Sequence, residues 1–335
     1  MSEVVVVGGG LIGSLIAYRL GQAGLEVTLL EAGKAGQATR ASAGMLAPHA
    51  EGLSGELLEW AREGLEGYPE LARELEAASG IEVPVVLSGV WSGVRSPLRG
   101  WEALRGLEPH PGGYLDPVRL LAAVQKAFVS LGGTICREEA LHLEPGWVYT
   151  AAQYTDTARP ERGSSAWCTG ATRPAPRQGA AWGSSTRRIA ARQIVIASGA
   201  WSGRFGLEVR PLKGEALLLA APPPSGPVFA GAGYALPRGA QVYLGATQRK
   251  GWPPGVEAEG LRWLQHYRDT HFPHLRGAAV LERRWGYRPA GPLTVGQLEP
   301  GILAATGHGR NGILLAPATA RRIRELVLKS WKTRR

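Results

Sequence analysis

The stretch VVVVGGGLIG, residues 4–13, decides the fold. Its four valines form a short β-branched run that reads as a strand buried on both faces, the pattern of a parallel sheet. Gly8-Gly9-Gly10-Leu11-Ile12-Gly13 has the spacing GxGxxG. Leu15, Ile16 and Leu20 recur at helical spacing, and Gly24 stands where the helix ends. A second apolar run, residues 25–30, closes on Glu31. Strand, glycine turn, helix, strand and acid in this order form a dinucleotide-binding βαβ unit. Gly8 permits the tight turn, Gly10 lets a pyrophosphate approach the backbone, and Gly13 lets helix and strand pack closely. The helix start offers free N–H groups and a positive dipole end to phosphate. Glu31 can accept hydrogen bonds from ribose hydroxyls. The spacing alone does not choose between NAD and FAD.

Residues 34–51, KAGQATRASAGMLAPHAE, bear on that choice. They show no hydrophobic period but many small residues, which let backbone lie close to something flat. Thr39 and Arg40 suit phosphate, and Ala43-Gly44-Met45 suits a ring system.

The chain's 335 residues, 44% hydrophobic and 20% charged, have globular composition. No apolar run approaches the roughly 18 residues of a membrane span. No basic segment precedes an apolar one at the amino terminus, so a cytoplasmic protein is expected. Cys136 and Cys168, the only cysteines, supply neither a disulfide framework nor metal-ligand spacing, and no metal is expected. The net charge of +10 would suit nucleic acid, but residues 148–192 hold seven arginines against two acids, half of that charge. No basic stripe appears elsewhere, so nucleic-acid binding is not expected.

The amino-terminal unit, TRASAGMLAP, IVIASGAWSG (194–203), PLKGEALLL (211–219) and TGHGRNGILLAPATA (306–320) together resemble the D-amino acid oxidase family of flavoproteins, most closely its glycine oxidases. The match runs in order along nearly the whole chain. It implies an α/β (α+β) flavoprotein with a discontinuous Rossmann-like FAD-binding domain and a mixed-sheet substrate domain. The first would comprise residues 1–80, 115–210 and 290–335; the second, 81–114 and 211–289. By position, non-covalent FAD would touch Gly8, Gly10, Leu11, Ile12, Gly13, Glu31, Ala32, Ala38, Thr39, Ala43, Gly44, Met45 and the backbone near Ala140. It would also touch His308, Gly309, Arg310, Asn311, Gly312, Ile313 and Leu314. A cysteinyl flavin link is not expected, since no cysteine follows Cys168.

The resemblance also implies a substrate site. Arg288, in RRWGYRPAGP, stands where the family binds the substrate carboxylate, which a planar guanidinium holds in bidentate fashion. It should follow a strand and precede the Pro-Ala-Gly-Pro turn. Arg310 stands where a second residue touches substrate, and Tyr234 where a tyrosine hydrogen-bonds it. Glycine oxidases can carry a histidine two residues before that tyrosine; here Ala232 departs from the pattern. Residues 307–312 should turn a strand (302–306) into a helix (312–328) whose start stabilises negative charge on a reduced flavin. Asn311, the only asparagine of the chain, would cap that helix. His308 reads either as a flavin neighbour or as a cap residue.

The implied reaction is oxidative deamination of glycine or a similar small amine, with O2 as acceptor, supplying the thiamine thiazole ring. Sarcosine or D-amino acid oxidation, a dehydrogenase, a tRNA-modifying FAD enzyme and an inactive flavin-binding protein are the alternatives. The family suggests a homo-oligomer, without an interface signature in this chain.

Elsewhere, Asp116-Pro117 opens a helix. Residues 57–75 read as an amphipathic helix broken near Pro69, residues 84–93, 227–236 and 241–247 as strands, and 257–272 as a helix. Residues 148–190 lack a period of 2 or 3.6 and exceed the family's hairpin by about twenty residues, either as an irregular basic insertion or as a locally shifted reading frame later restored.

Overall fold

The structure, a computed structural model, describes residues 2–152 and 186–332. It is built on an eight-stranded sheet, a six-stranded sheet and a small three-stranded one. In the largest, the order is Thr294–Glu299, Ile302–Thr306, Thr186–Ile196, Ser2–Val7, Val27–Leu30, Thr134–Cys136. The inner strands are parallel, and Thr294–Glu299 is antiparallel to its neighbour. Val4 and Val6 face a layer made by helices Leu11–Gln22, Gly55–Ser79, Pro117–Ser130 and Gly312–Lys332. Val5 and Val7 pack with Ala140 and Val148 of the antiparallel hairpin Glu138–Glu144/Trp147–Ala152. Burial on both faces explains why all four positions are valine.

The six-stranded sheet is antiparallel. Arg210–Leu219 lies between Gln241–Gly245 and Val280–Ala290, and Gly233–Arg238 and Val228–Ala230 continue it. Period-2 alternation gives it two faces. Ala216 and Leu218 pack with Tyr234 and Tyr243 on one, while Leu217 and Leu219 pack against Leu264, Tyr267 and Phe272 on the other. The latter residues belong to, or follow, helix Ala258–His271. The Tyr243 hydroxyl donates to the Ala41 carbonyl at 2.7 Å and Arg238 Nη2 to the Ala43 carbonyl at 2.8 Å. These bonds tie the second sheet to the small-residue stretch after Glu31.

Several expectations change. Gly55–Ser79 is one helix with Pro69 inside it. Buried Tyr68, Leu71, Ala72 and Leu75 hold both sides of the proline, and the Tyr68 hydroxyl bonds the Ile313 carbonyl. This packing outweighs the roughly 3 kcal/mol that an interior proline costs. Of residues 84–93 only Val85–Val86 forms a strand, with isolated bridges at Val90 and Trp91. Residues 227–236 are two strands that turn at Gly231, whose φ is +60°. Arg288 lies inside strand Val280–Ala290 rather than after it. The irregular stretch is narrower than 148–190, because Val148 pairs with Ile189 and Ala151 with Thr186 across an antiparallel ladder. The remainder of that stretch, with Cys168, lies outside the described residues.

Candidate active site

At the carboxyl ends of the parallel strands a cleft of about 1630 Å³, counting its open mouth, runs from the glycine turn to the second sheet. The strand end stops at Gly8 (φ +116°), where a Cβ would lie 2.4 Å from the Ala197 carbonyl oxygen. Gly13 does not line the cleft; a Cβ there would sit 1.9 Å from the Gly8 oxygen, so its role is helix-on-strand packing. Gly10 lines the cleft, and its Cβ would meet only Thr39 Oγ1, at 3.5 Å. No side chain of Gly10 caps the helix, and the Leu11 N–H donates to Thr39 Oγ1 at 3.1 Å. Thr39 thus closes one helix-start donor as well as facing the cleft.

Glu31 and Ala32 line the same end. Glu31 Oε1 accepts from the Gly33 N–H at 2.5 Å and from Gln37 Nε2 at 2.8 Å. A Cβ on Gly9 would lie 2.4 Å from the other Glu31 oxygen and 2.8 Å from Glu31 Cβ, so Gly9, overlooked in the motif reading, leaves room for Glu31. Ala38, Ala43, Gly44, Met45 and Ala140 also line the cleft. Arg40 does not: it is exposed and its Nε donates to Gln37 Oε1 at 3.0 Å.

From the opposite side comes the turn before the last helix. His308, Gly309, Arg310, Asn311, Gly312 and Ile313 line the cleft, whereas Leu314 points into the helical core and does not. Gly307 (φ +82°) packs on the Pro292 carbonyl, where a Cβ would fall 1.9 Å from its oxygen. A Cβ on Gly312 would meet only His308 Cβ, at 3.7 Å, leaving that backbone open to the cleft. Buried His308 shares a hydrogen bond of 2.9 Å between Nε2 and Thr319 Oγ1, and burial pulls its pKa down to about 4. It is therefore neutral near pH 7, and it both lines the cleft and ties the turn to the helix. The Asn311 N–H donates to the His308 carbonyl at 2.9 Å, and the Asn311 carbonyl accepts from Leu315 N–H at 2.9 Å.

At the second sheet, Tyr234, Tyr243, Ala246 and Arg288 complete the lining. The Arg288 guanidinium lies across Gly214, where a Cβ would be 2.4 Å from Nη2. Its Nη1 donates to the Thr247 carbonyl at 3.0 Å. Burial raises the pKa of Tyr234 while Arg288 and Arg310 pull it back, so the phenol is neutral. Tyr234 and Tyr243 stack at 6.3 Å between ring centroids. Arg310 is engaged by a residue the motifs did not single out: Glu51, whose Oε2 lies 3.1 Å from Nε and whose Oε1 lies 3.2 Å from Nη2. Burial raises the Glu51 pKa, and the arginines oppose it. Ala232 is exposed at the turn between two strands and lies outside the cleft lining.

Sequence reading found one residue of each charged or aromatic pair and missed its partner. Arg288, Arg310 and Tyr234 were singled out by their motifs; Gly214 and Glu51, though inside quoted stretches, and Tyr243 were not. For Tyr243 the available signal was its alternation in QVYLG, for Glu51 its place at the end of the small-residue stretch.

The residues present fit an extended dinucleotide. Gly10 and Gly312 leave open backbone at opposite sides of the cleft while Gly8, Gly13 and Gly307 are required by packing, and the first helix presents its start to the same space. Such a cleft, at the strand ends of a parallel sheet and facing an arginine and a tyrosine, is that of a dinucleotide-dependent enzyme, and FAD-dependent oxidoreductases are the class it fits. The chain belongs to the DAO family of FAD dependent oxidoreductases, whose profile matches residues 3–326, and FAD is its cofactor. It is similar to the glycine oxidase of Bacillus licheniformis, 32% identical over 360 residues covering 97% of this chain and 93% of that one. It is also similar to the bifunctional protein ThiO/ThiG of Synechocystis sp., 30% identical over 370 residues covering 98% of this chain and 52% of the relative. The chain thus spans about half the length of the bifunctional relatives it matches. Among solved structures, glycine oxidase from Geobacillus kaustophilus superposes with a TM-score of 0.78 at 27% identity, covering 98% of this chain and 95% of that one. These likenesses agree with the family, that of FAD dependent oxidoreductases, with glycine oxidases among the chain's relatives.

Proposed function

We propose that the protein oxidatively deaminates glycine or a similarly small amine or D-amino acid. The observation that carries this reading is the placement of Arg288: a guanidinium held over Gly214 and beside Tyr234, in the same cleft as the glycine turns. Its free edge suits a carboxylate in bidentate fashion. Tyr234, neutral and buried, supplies a hydrogen bond to the same substrate. Arg310, already paired with Glu51, lends its charge to the site without presenting a second free guanidinium. Ala43, Ala246 and the two tyrosines leave a small apolar compartment for the rest of the substrate.

When bound, the flavin supplies a two-electron acceptor for the hydride of the substrate Cα, and O2 takes those electrons to give H2O2. The chain's own work is positioning and electrostatics. The backbone of the turn at 307–312 and the start of the helix from Gly312 line the cleft, where they would stabilise negative charge on a reduced flavin. No side chain of the cleft needs to act as base if the amine enters neutral. For glycine the products after imine hydrolysis are glyoxylate and ammonia, and the imine itself would serve thiazole synthesis. In this reading residues 1–80, 115–210 and 290–335 hold the cofactor non-covalently, and 81–114 with 211–289 hold the substrate.

Anaerobic addition of glycine to the purified yellow protein tests this. Bleaching of the flavin absorbance, with return of colour and peroxide on admitting air, is expected. A flavin that stays oxidised with glycine, sarcosine and D-alanine alike would refute the proposal.

A further inference from the structure

Strand Arg210–Leu219 alternates between the cleft face and the helix face. On the helix face, Leu217 and Leu219 are core residues, yet the two positions before them are Lys213 and Glu215. Both side chains are fully buried, with Nζ 3.1 Å from Glu215 Oε1. Lys213 Nζ also donates to Glu257 Oε2 at 2.8 Å, and the Glu257 N–H donates to Glu215 Oε1 at 2.9 Å. Arg249 Nη1 stands 3.5 Å from Glu215 Oε2 and 2.9 Å from Glu257 Oε2. A buried ion pair rarely improves on well-packed apolar residues of similar volume, so stability alone is a weak reason to keep one.

The pair's other partner suggests its use. Thr247 is buried and is bonded to Glu215 three times. Its Oγ1 donates to Glu215 Oε2 at 2.9 Å, its Oγ1 accepts from the Glu215 N–H at 2.9 Å, and its own N–H donates to the Glu215 carbonyl at 3.1 Å. The Thr247 carbonyl is the acceptor for Arg288 Nη1 at 3.0 Å. A continuous chain therefore runs through the sheet, from Lys213 to Glu215 to Thr247 to the guanidinium on the cleft face.

We propose that Glu215, fixed by Lys213, is a positioning residue for the substrate carboxylate site: it clamps Thr247, and the Thr247 carbonyl orients Arg288. The proposal rests on the reading of Arg288 as the carboxylate-binding residue. It assigns a function to charges that lie behind the sheet and touch neither substrate nor cofactor.

The test is titration of the FAD-loaded protein with acetate, a carboxylate without an amine, followed by the change in flavin absorbance. Three variants are compared with the parent: the double variant Lys213→Met/Glu215→Leu, Thr247→Val and Arg288→Met. The double variant replaces the pair with apolar side chains and leaves Arg249 and Glu257 paired with each other. It should fold, carry FAD and melt close to the parent. Its acetate dissociation constant should rise about tenfold, the scale of losing one oriented charge-assisted hydrogen bond. Its KM for glycine should rise more than its kcat falls. Thr247→Val keeps the carbonyl and removes the hydroxyl, and should shift acetate binding in the same direction; it decides the matter if the double variant does not fold. A purely structural pair would leave acetate binding within about twofold of the parent once folding is intact, and that result overturns the proposal. Arg288→Met separates the two failures. If it loses acetate binding while the other variants keep it, the clamp alone is wrong; if it also keeps acetate binding, the reading of Arg288 falls and the clamp with it.

Discussion

At the scale of single residues, Arg288 and His308 show how position, more than residue type, gives a group its chemistry. The chain has 32 arginines, and one of them lies over a glycine with a backbone acceptor on one side and an open cleft on the other. Replacing it by Lys keeps the charge and loses the planar fork. Arg288→Lys should raise the KM for glycine by about 10- to 100-fold with a smaller fall in kcat, by steady-state kinetics; an unchanged KM would remove the residue from the carboxylate site. His308 makes a different prediction. Its pKa falls from 6.5 to about 4 on folding, through burial. Between these values the unfolded chain binds more protons than the folded one. The stability that His308 contributes is therefore complete above about pH 6.5 and is lost as pH falls towards about 4, amounting to a few kcal/mol in all. Urea unfolding at pH 7.5 and pH 4.5 should show a smaller acid loss in His308→Gln than in the parent. Equal losses would mean that the imidazole is not buried as described. The sequence showed that His308 sits by the turn, but its protonation depends on its burial, which only the folded chain supplies.

At the scale of elements, the glycines of the opening turn divide into two kinds that a motif cannot distinguish. A methyl at Gly13 would lie 1.9 Å from the Gly8 oxygen, whereas one at Gly10 would meet only Thr39 Oγ1 at 3.5 Å and otherwise face the cleft. Gly13→Ala should therefore lower the melting temperature of the apoprotein, by a few kcal/mol of overpacking. Gly10→Ala should leave the apoprotein's melting nearly unchanged and weaken FAD binding. Thermal scans and a flavin titration separate the two, and a loss of apoprotein stability in Gly10→Ala would contradict the open backbone. The βαβ unit was legible because every one of its local signals agreed, from the valines to Glu31. The second sheet was less so. Residues 227–236 read as one strand because only Gly231 and Gly233 interrupt the apolar run, and the turn there needs a glycine at positive φ rather than a Pro or Asp marker. Helix Gly55–Ser79 was read as broken because Pro69 is a local signal, while the packing that overrides it comes from distant residues such as Ile313. The partners that sequence missed share this cause: Glu51 and Thr247 matter through residues far along the chain.

At the scale of the whole molecule, two sheets and the segments between them surround one cleft, so cofactor and fold should stabilise each other. With free FAD at about a hundredfold its dissociation constant, the loaded protein should gain about 2.7 kcal/mol over the apoprotein and melt correspondingly higher; identical melting curves would exclude a cofactor bound in the folded cleft. The ladder between Trp147–Ala152 and Thr186–Ile196 sets Ala151 opposite Thr186. Two facing strand ends need only a two- to five-residue loop, roughly, to join them. A chain with a short Asn-Gly turn in place of residues 153–185 should fold and bind FAD, as a flavin spectrum would report. A colourless product would show that those residues are needed. The strand Arg210–Leu219 limits how the length of such a chain can change. Positions 213, 215, 217 and 219 hold an ion pair and core leucines, while Gly214 lines the cleft and Ala216 and Leu218 share its face, so inserting one residue would exchange the two faces and turn charges towards the cleft side. Growth or loss within this strand is compatible with the site only in steps of two, which makes its parity a marker to look for wherever the chain's descendants differ in length.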